Sequence, residues 1–408
     1  MQNRKKYEII AVFIIVLMIL FYRRSDAFTN PQFWAEGGSL IFQQWESFHF
    51  NSLFIIYAGY HMASARIVGA IIGLFHINYL YIPTAYTLSA FLVTFLVAVG
   101  LWYSALRLNI RHRILYATTF LLIPVGNELF MDEASLQWIT GIYLVNYLFV
   151  WDNKVNEKYY FLTLILLFIC ATSGPYSAIL SPLLVFMIFI NRKDTTIKRL
   201  IPLLVVLSGG IIQFICIKFI APGAFGGRVA SWSTVAQDHF HLLKLFTKNI
   251  SQMLYFDSGM LPHMADRVKT LLSLLVLIGL MIFFIKSYLK IENKRKYILL
   301  VTAILCFGSF IVTYWPKESL ILSLGIARYY FLPFTCIGWL LIIAWDEKIK
   351  TSHIAVYIFF LLLHSRFIVT HLPDKKWKEQ IKEYYEGKRD TIDISPDGWH
   401  VILPKKEK

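Results

Sequence analysis

The chain has 408 residues, of which 57% are hydrophobic and 16% charged, and its mean hydropathy is +0.57. A soluble domain of this size is less apolar, so the composition predicts that a lipid bilayer surrounds most of the chain. The net charge of +15 would also suit nucleic-acid binding, but the basic residues lie in short runs between apolar segments, as in the inner loops of membrane proteins, and we exclude that partner.

Apolar segments separated by basic clusters recur along the whole chain. A spanning helix needs about 17 to 25 largely apolar residues, and basic clusters mark its inner end. The first segment follows Arg4-Lys5-Lys6 and lacks the small-residue cleavage site of a signal peptide, so we predict a retained helix. Eleven crossings result, with the N-terminus inside and the C-terminus outside, at 7–22, 83–106, 114–126, 136–151, 161–173, 175–190, 200–220, 270–286, 297–315, 329–345 and 353–370.

Two stretches need separate treatment. Residues 161–190 are broken at Gly174-Pro175, where a short hairpin keeps both flanking basic runs inside. Residues 53–82 are apolar but contain His61, Arg66 and His76, and we predict amphipathic helices that lie on the outer membrane surface. A true span at 53–82 would invert the side of the basic run at 107–113.

The predicted fold is therefore an all-α polytopic membrane protein with about eleven transmembrane helices. Residues 1–370 form one domain with a first external loop (23–82) and a second large external loop (221–269), and a polar external tail follows at 371–408. No P-loop, dinucleotide pattern or spaced Cys and His ligands are present, which argues against an ATP-driven or redox machine. The four cysteines lie in apolar segments, which indicates no disulfide: Cys170, Cys216, Cys306 and Cys336. In the second large loop, His239 and His241 would point apart on a helix, so no metal site is indicated there.

The first external loop carries the clearest chemical signal. Glu36 lies close after the first helix, beside Trp34 and the pair Gly37-Gly38. A carboxylate at the membrane interface, flanked by aromatic side chains, suits a general base that meets a lipid-linked substrate. The alternative is an interfacial aromatic belt with one solvated glutamate.

Residues 30–38, Asn-Pro-Gln-Phe-Trp-Ala-Glu-Gly-Gly, resemble the Asn-Pro-Gln-Phe-Trp-Ala-Glu-Asp-Gly signature of a group of bacterial membrane proteins. This group is similar to GT-C glycosyltransferases and includes enzymes that glucosylate O-antigen. Three further motifs look like the same group, in the same order, and the four extend over nearly the whole chain: Ser173-Gly174-Pro175-Tyr176 with Pro182, Ala327 to Pro333, and Ser395 to Trp399 with Leu403-Pro404.

The resemblance implies a GT-C-like fold, a polyprenyl phosphate sugar as donor and an acidic residue of the first external loop that activates the acceptor hydroxyl or helps to hold a metal. Glu36 takes that position. Gly37 stands where the group usually has aspartate, so the second carboxylate is missing. Glu36 is therefore the lone candidate base, and no cofactor is predicted, although a divalent metal stays open.

Displacement of a polyprenyl phosphate needs a cation near the phosphate, because negative charge develops on the leaving oxygen. Arg328, where an external loop enters a helix beside Tyr329, is the first choice, and Arg66 is the second. For both arginines the alternative is an interaction with lipid headgroups. Asp132 and Glu133 could join the same outer cavity, although a solvated turn between two helices is the favoured interpretation.

Trp399 could line the site or dock the tail. We predict a multi-pass protein of the bacterial inner membrane whose site lies on the periplasmic face. It would transfer a hexose such as glucose from a polyprenyl phosphate to a surface polysaccharide such as O-antigen, which is the reaction of serotype conversion. A transporter or flippase of lipid-linked oligosaccharide is the main alternative, and an inactive homologue is a third, suggested by Gly37.

Overall fold

The computed structural model describes residues 2–123, 129–151, 159–193, 196–220, 266–293, 295–314, 329–349, 352–353, 356 and 373–404. Most of these residues are helical, which agrees with the predicted helical class. The helices of the described residues are α1 (Gln2–Arg23), α2 (Ser25–Thr29), α3 (Gln43–Phe48), α4 (Ala63–Leu74), α5 (Ile82–Ser104), α6 (Ile110–Leu122), α7 (Leu136–Val150), α8 (Tyr160–Ala171), α9 (Tyr176–Asn191), α10 (Ile197–Ile215), α11 (Asp266–Lys290), α12 (Lys296–Tyr314), α13 (Phe331–Asp346) and α14 (Trp377–Tyr385).

Ten of the predicted apolar segments coincide with a helix, whereas most of the eleventh, 353–370, lies outside the described residues. Two helical stretches, Tyr79–Ser104 and Ile197–Ile220, are long and apolar enough to cross a bilayer, and five shorter apolar helices accompany them. Length and composition alone do not separate a bilayer span from a buried helix. The eleven crossings therefore stay a prediction.

The predicted break between α8 and α9 is confirmed. Gly174 has a φ of 108°, and Pro175 directly precedes α9, where a missing N–H costs no helix hydrogen bond. The segment before α4 holds this turn: the Gly174 N–H donates to the His61 carbonyl at 2.9 Å, and the Ser64 N–H donates to Ser173 Oγ at 2.8 Å. The motif Ser173-Gly174-Pro175-Tyr176 is thus hydrogen-bonded to the first external loop (23–82).

The main hydrophobic core extends from α1 and α5–α7 through α8–α10 to α12 and α13. Tyr116 of α6 and Trp339 of α13 stack with 4.7 Å between ring centroids, and Trp339 Nε1 donates to the Tyr116 carbonyl at 2.9 Å. At one end of α1, Glu8 pairs with Arg113 of α6 at 2.6 Å. Because α1 packs along α6, the other end of α1 reaches the segment that follows α6.

Helix α4 differs from the prediction. Its first turn, Ala63 to Arg66, is buried in the protein, whereas we predicted helices on the membrane surface. The reason is close packing: α4 lies against α5, α7 and the π-helical turn Gly37–Phe42, and two of its glycines admit Ile41, Tyr86 and Trp45.

The tail also differs from an all-α chain, because α14 is followed by two antiparallel strands, β1 (Thr391–Ile394) and β2 (Trp399–Ile402). The tail packs on the first external loop in a second hydrophobic core that includes Phe33, Phe42, Trp377, Ile394 and Val401. A β-carbon on Gly38 would lie 2.8 Å from Ile394 Cδ1, so the tail approaches the loop backbone directly. The tail and the first loop therefore share one side of the molecule.

Candidate functional site

Three carboxylates meet where the first external loop faces the segment between α6 and α7. Glu36 directly precedes the π-helical turn Gly37–Phe42, and Asp132 and Glu133 precede α7. A β-carbon on Gly37 would lie 2.8 Å from Asp132 Oδ1 and closer still to Glu133 Oε1. The absence of a side chain at Gly37 therefore makes room for the two carboxylates.

Burial separates the three groups. Asp132 is 5% exposed and Glu133 is 2% exposed, whereas Glu36 is partly open to solvent. The favoured sequence interpretation of Asp132 and Glu133 as a solvated turn is therefore wrong. Packing of α4, α5 and the Gly37–Phe42 turn around residues 133–135 removes these carboxylates from water.

The buried pair has strongly perturbed acidity. Burial, and then the nearby charge of Glu36, raise the pKa of Asp132 from 3.8 to about 7, although Arg24 opposes the shift. Burial and the charge of Asp132 raise the pKa of Glu133 well above its usual range. Glu133 Oε1 is buried and accepts no hydrogen bond from the described residues. A buried carboxylate oxygen without a donor favours the neutral form of the acid, so burial shifts both groups towards protonation.

Arg24 is a site residue that the sequence analysis missed. It is 2% exposed, pairs with Asp26 at 3.1 Å and donates from Nη1 to the Phe130 carbonyl at 2.8 Å. Its neighbour Arg23 donates to the carbonyls of Leu121 and Ile123. A signal was available, since two arginines at the end of the first helix that is predicted to be external do not fit the rule that places basic residues inside.

The backbone before Glu36 is strained and fixed by the tail. Ala35 has a φ of 29°, a conformation that residues other than glycine rarely adopt. The Ala35 N–H donates to the Ser395 carbonyl at 2.5 Å, and Trp34 forms a parallel bridge with Ser395. The motif at residues 30–38 therefore contacts the motif that begins at Ser395, and this contact sets the direction of the Glu36 side chain.

Arg66 is a third buried arginine, after Arg23 and Arg24. It is 2% exposed, and its Nε and Nη2 atoms have no hydrogen-bond partner among the described residues. Burial lowers the pKa of its guanidinium to about 10. Interaction with lipid headgroups, the alternative for Arg66, does not fit a side chain enclosed by protein. A buried, unpaired cation is costly, and an anionic ligand would relieve that cost.

The remaining predicted residues are placed as follows. Tyr329 packs edge-on against Trp138 with 5.1 Å between ring centroids, and Trp138 packs in the same way against Tyr176 of the second motif. Trp399 faces Ile394 in the tail hairpin. Arg328, His239 and His241 lie outside the described residues.

Within the part of the chain that the structure describes, no group of three or more His, Cys, Asp or Glu has a metal-binding arrangement. The carboxylate cluster, with two members that favour the protonated form, is instead suited to exchange a proton with a bound hydroxyl. No protein-family model matches the chain, and no curated protein is similar enough to count as a relative.

Proposed function

We propose that this chain is a polytopic membrane glycosyltransferase that moves a hexose from a polyprenyl phosphate carrier to a surface polysaccharide. The observation that carries the proposal is the cluster in which partly exposed Glu36 lies beside the buried pair Asp132 and Glu133. A carboxylate with access to solvent, held next to groups with raised pKa values, is an arrangement typical of acid–base catalysis.

The surface of the helices supports a bilayer environment. Large apolar side chains of α8 and α10 are directed outward: Phe161 is 79% exposed and Ile197 is 68% exposed. Such side chains would face lipid tails at no cost, whereas in water contiguous apolar surfaces of this kind drive association. The proposed location is the bacterial inner membrane, with the site on the periplasmic face.

The transfer would proceed as follows. Glu36 accepts the proton of the acceptor hydroxyl, whose oxygen attacks the anomeric carbon of the donor hexose. The bond between that carbon and the phosphate oxygen breaks, and the electron pair leaves with the polyprenyl phosphate. Arg66 is the described cation best suited to the phosphate, because two of its N–H-bearing nitrogens are unpaired. Arg328 keeps its sequence-based role as a further phosphate partner.

Asp132 and Glu133 would tune this base. With both ionised, repulsion would raise the cost of placing a third negative charge on Glu36. Burial favours the protonated form of the pair, which reduces this repulsion. Arg24 favours the ionised form of Asp132 and so opposes this effect in part.

Chemical analysis of surface polysaccharide tests the proposal in cells that carry either the gene, a deletion or Glu36→Gln. We expect the deletion and the Gln variant to lose one hexose branch with chain length unchanged, because loss of a general base costs about a hundredfold to ten-thousandfold in rate. Glu386→Gln, an exposed tail carboxylate, is the matched control. Wild-type modification by Glu36→Gln would overturn the assignment of the base.

One observation favours the alternative of a flippase for lipid-linked oligosaccharide. A cavity of about 830 Å³ at the far end of α5 is lined by Tyr103, Arg107, Asn146 and Arg295. It lies about 27 Å along α5 from Tyr86, which is close to Glu133. A flippase mutant would shorten or abolish the polysaccharide chains, whereas a transferase mutant would remove only the branch.

A further inference from the structure

The tail contains a cavity that the proposed reaction leaves without a role. It has a volume of about 480 Å³ and lies between α14 and the hairpin of β1 and β2. Five carboxylates and three cations line it, together with Gln380 and Trp399. The lining is thus mostly charged and polar, with Ile394 and Trp399 as its large apolar members.

The polar walls are held in place. Gln380 is buried, its Nε2 donates to the carbonyls of Lys375 and Asp393, and its Oε1 accepts from the Asp393 N–H at 2.8 Å. Arg389 donates from Nε to the Thr391 carbonyl at 2.7 Å and pairs with Asp393 at 3.2 Å. These bonds keep planar amide, guanidinium and carboxylate groups around the cavity in one arrangement.

The cavity lies next to the proposed base. Its wall includes Ile394, which precedes Ser395, and Ser395 accepts the hydrogen bond from Ala35, the residue before Glu36. This covalent and hydrogen-bonded path limits the distance between the Cα atoms of Ile394 and Glu36 to about 14 Å. A ligand of more than one sugar ring could occupy the cavity and still reach the base.

We propose that the tail cavity binds the saccharide acceptor through sugar rings that are remote from the reacting hydroxyl. This inference rests on the proposed transfer. Planar carboxylate, amide and guanidinium groups match the paired hydroxyls of a sugar, which both donate and accept. The partly exposed Trp399 ring offers an apolar face to the C–H side of a sugar ring. The excess of carboxylates over cations disfavours a phosphate or lipid headgroup.

If the cavity binds the acceptor far from its reacting hydroxyl, a change in the cavity should weaken binding of the acceptor and leave binding of the donor unchanged. Glu379→Ala removes one carboxylate of the cavity wall, and Trp399→Leu removes the ring. We expect each variant of the full chain to raise the KM for a polysaccharide fragment about tenfold, with the donor KM unchanged. Glu386→Ala, an exposed acid on the same tail outside the cavity, is the control.

Calorimetric titration of the full chain in detergent with the same fragment, in the absence of donor, separates this inference from the proposed function. If wild type binds the fragment and both variants do not, the result supports the cavity as the acceptor site. If wild type also transfers no sugar, only the transferase proposal fails. Transfer by wild type with unchanged acceptor KM and unchanged binding in both variants overturns the cavity. Binding of a basic peptide in place of the fragment also overturns it. Thermal unfolding at the wild-type temperature shows that the tail of each variant is folded.

Discussion

Replacement of Gly37 by aspartate gives this chain the carboxylate that the resembling group of glycosyltransferases usually has. From the resemblance alone, the change should restore a missing catalytic group. The structure leads to the opposite expectation, because the space beside Gly37 already holds Asp132 and Glu133. We predict that Gly37→Asp destabilises the protein and lowers transfer.

The size of the effect follows from two contributions. The β-carbon alone overpacks the site, which typically costs about 1–3 kcal/mol, and Gly37→Ala measures this contribution. A further carboxylate about 4 Å from an ionised neighbour adds about 4 kcal/mol at an effective dielectric constant of about 20. Protonation of the pair reduces the second contribution, so the penalty should be larger at pH 8 than at pH 5.

Thermal unfolding of the purified protein in detergent at both pH values is the assay. Gly308→Ala is the control, because a β-carbon at Gly308 would meet no atom within 4 Å and should not destabilise α12. The double variant Gly37→Asp with Glu133→Gly removes the nearest contact of the new side chain and should recover part of the lost stability. A Gly37→Asp single variant that is as stable and active as wild type would refute the predicted cluster.

Three further predictions concern charge and topology. Replacing Arg66 by Met should leave the melting temperature unchanged or raise it, because the change removes a buried cation whose Nε and Nη2 have no partner among the described residues, whereas transfer should fall. Calorimetry and a transfer assay test this: a loss of both stability and transfer would show that Arg66 has a purely structural role. Folding raises the pKa of Asp132 from 3.8 to about 7, so the folded chain binds more protons than the unfolded chain in this range, and the free energy of unfolding should fall as pH rises from about 4 to 7. Unfolding curves measured at several pH values should show a weaker pH dependence for Asp132→Asn. Single cysteines at Lys286 and Lys378 should differ in intact cells, where an impermeant thiol reagent labels only position 378, and labelling of both would contradict the predicted crossings.

Hydrophobic run length predicted the positions of the helices well, because ten apolar segments become helices with ends within a few residues. Gly174-Pro175 predicted the break between α8 and α9 for a local reason, the missing N–H and the positive φ. The tail hairpin had a local signal as well. Pro396-Asp397-Gly398 lies between two runs of alternating side chains, a pattern typical of a turn between strands.

The carboxylate cluster could not be predicted in the same way. The polarity of Asp132 and Glu133 favoured a solvated turn, since carboxylates are rarely buried. Their burial depends on α4 and the Gly37–Phe42 turn, which are distant in sequence and pack over the segment. The glycine at 37 indicated a lost carboxylate in the sequence, yet in three dimensions it indicates where two other carboxylates lie.

Two contacts between distant segments explain how a loop can hold the proposed catalytic group, Glu36, in one orientation. The Ser395 carbonyl fixes the strained Ala35 next to Glu36, and the Gly174 N–H fixes the segment at His61 that leads into α4. Strain of this kind persists only where the surroundings determine the backbone, and here the tail supplies that constraint. A proton acceptor that is held before substrate binds loses little further entropy in the transfer step, which is the condition for efficient general-base catalysis.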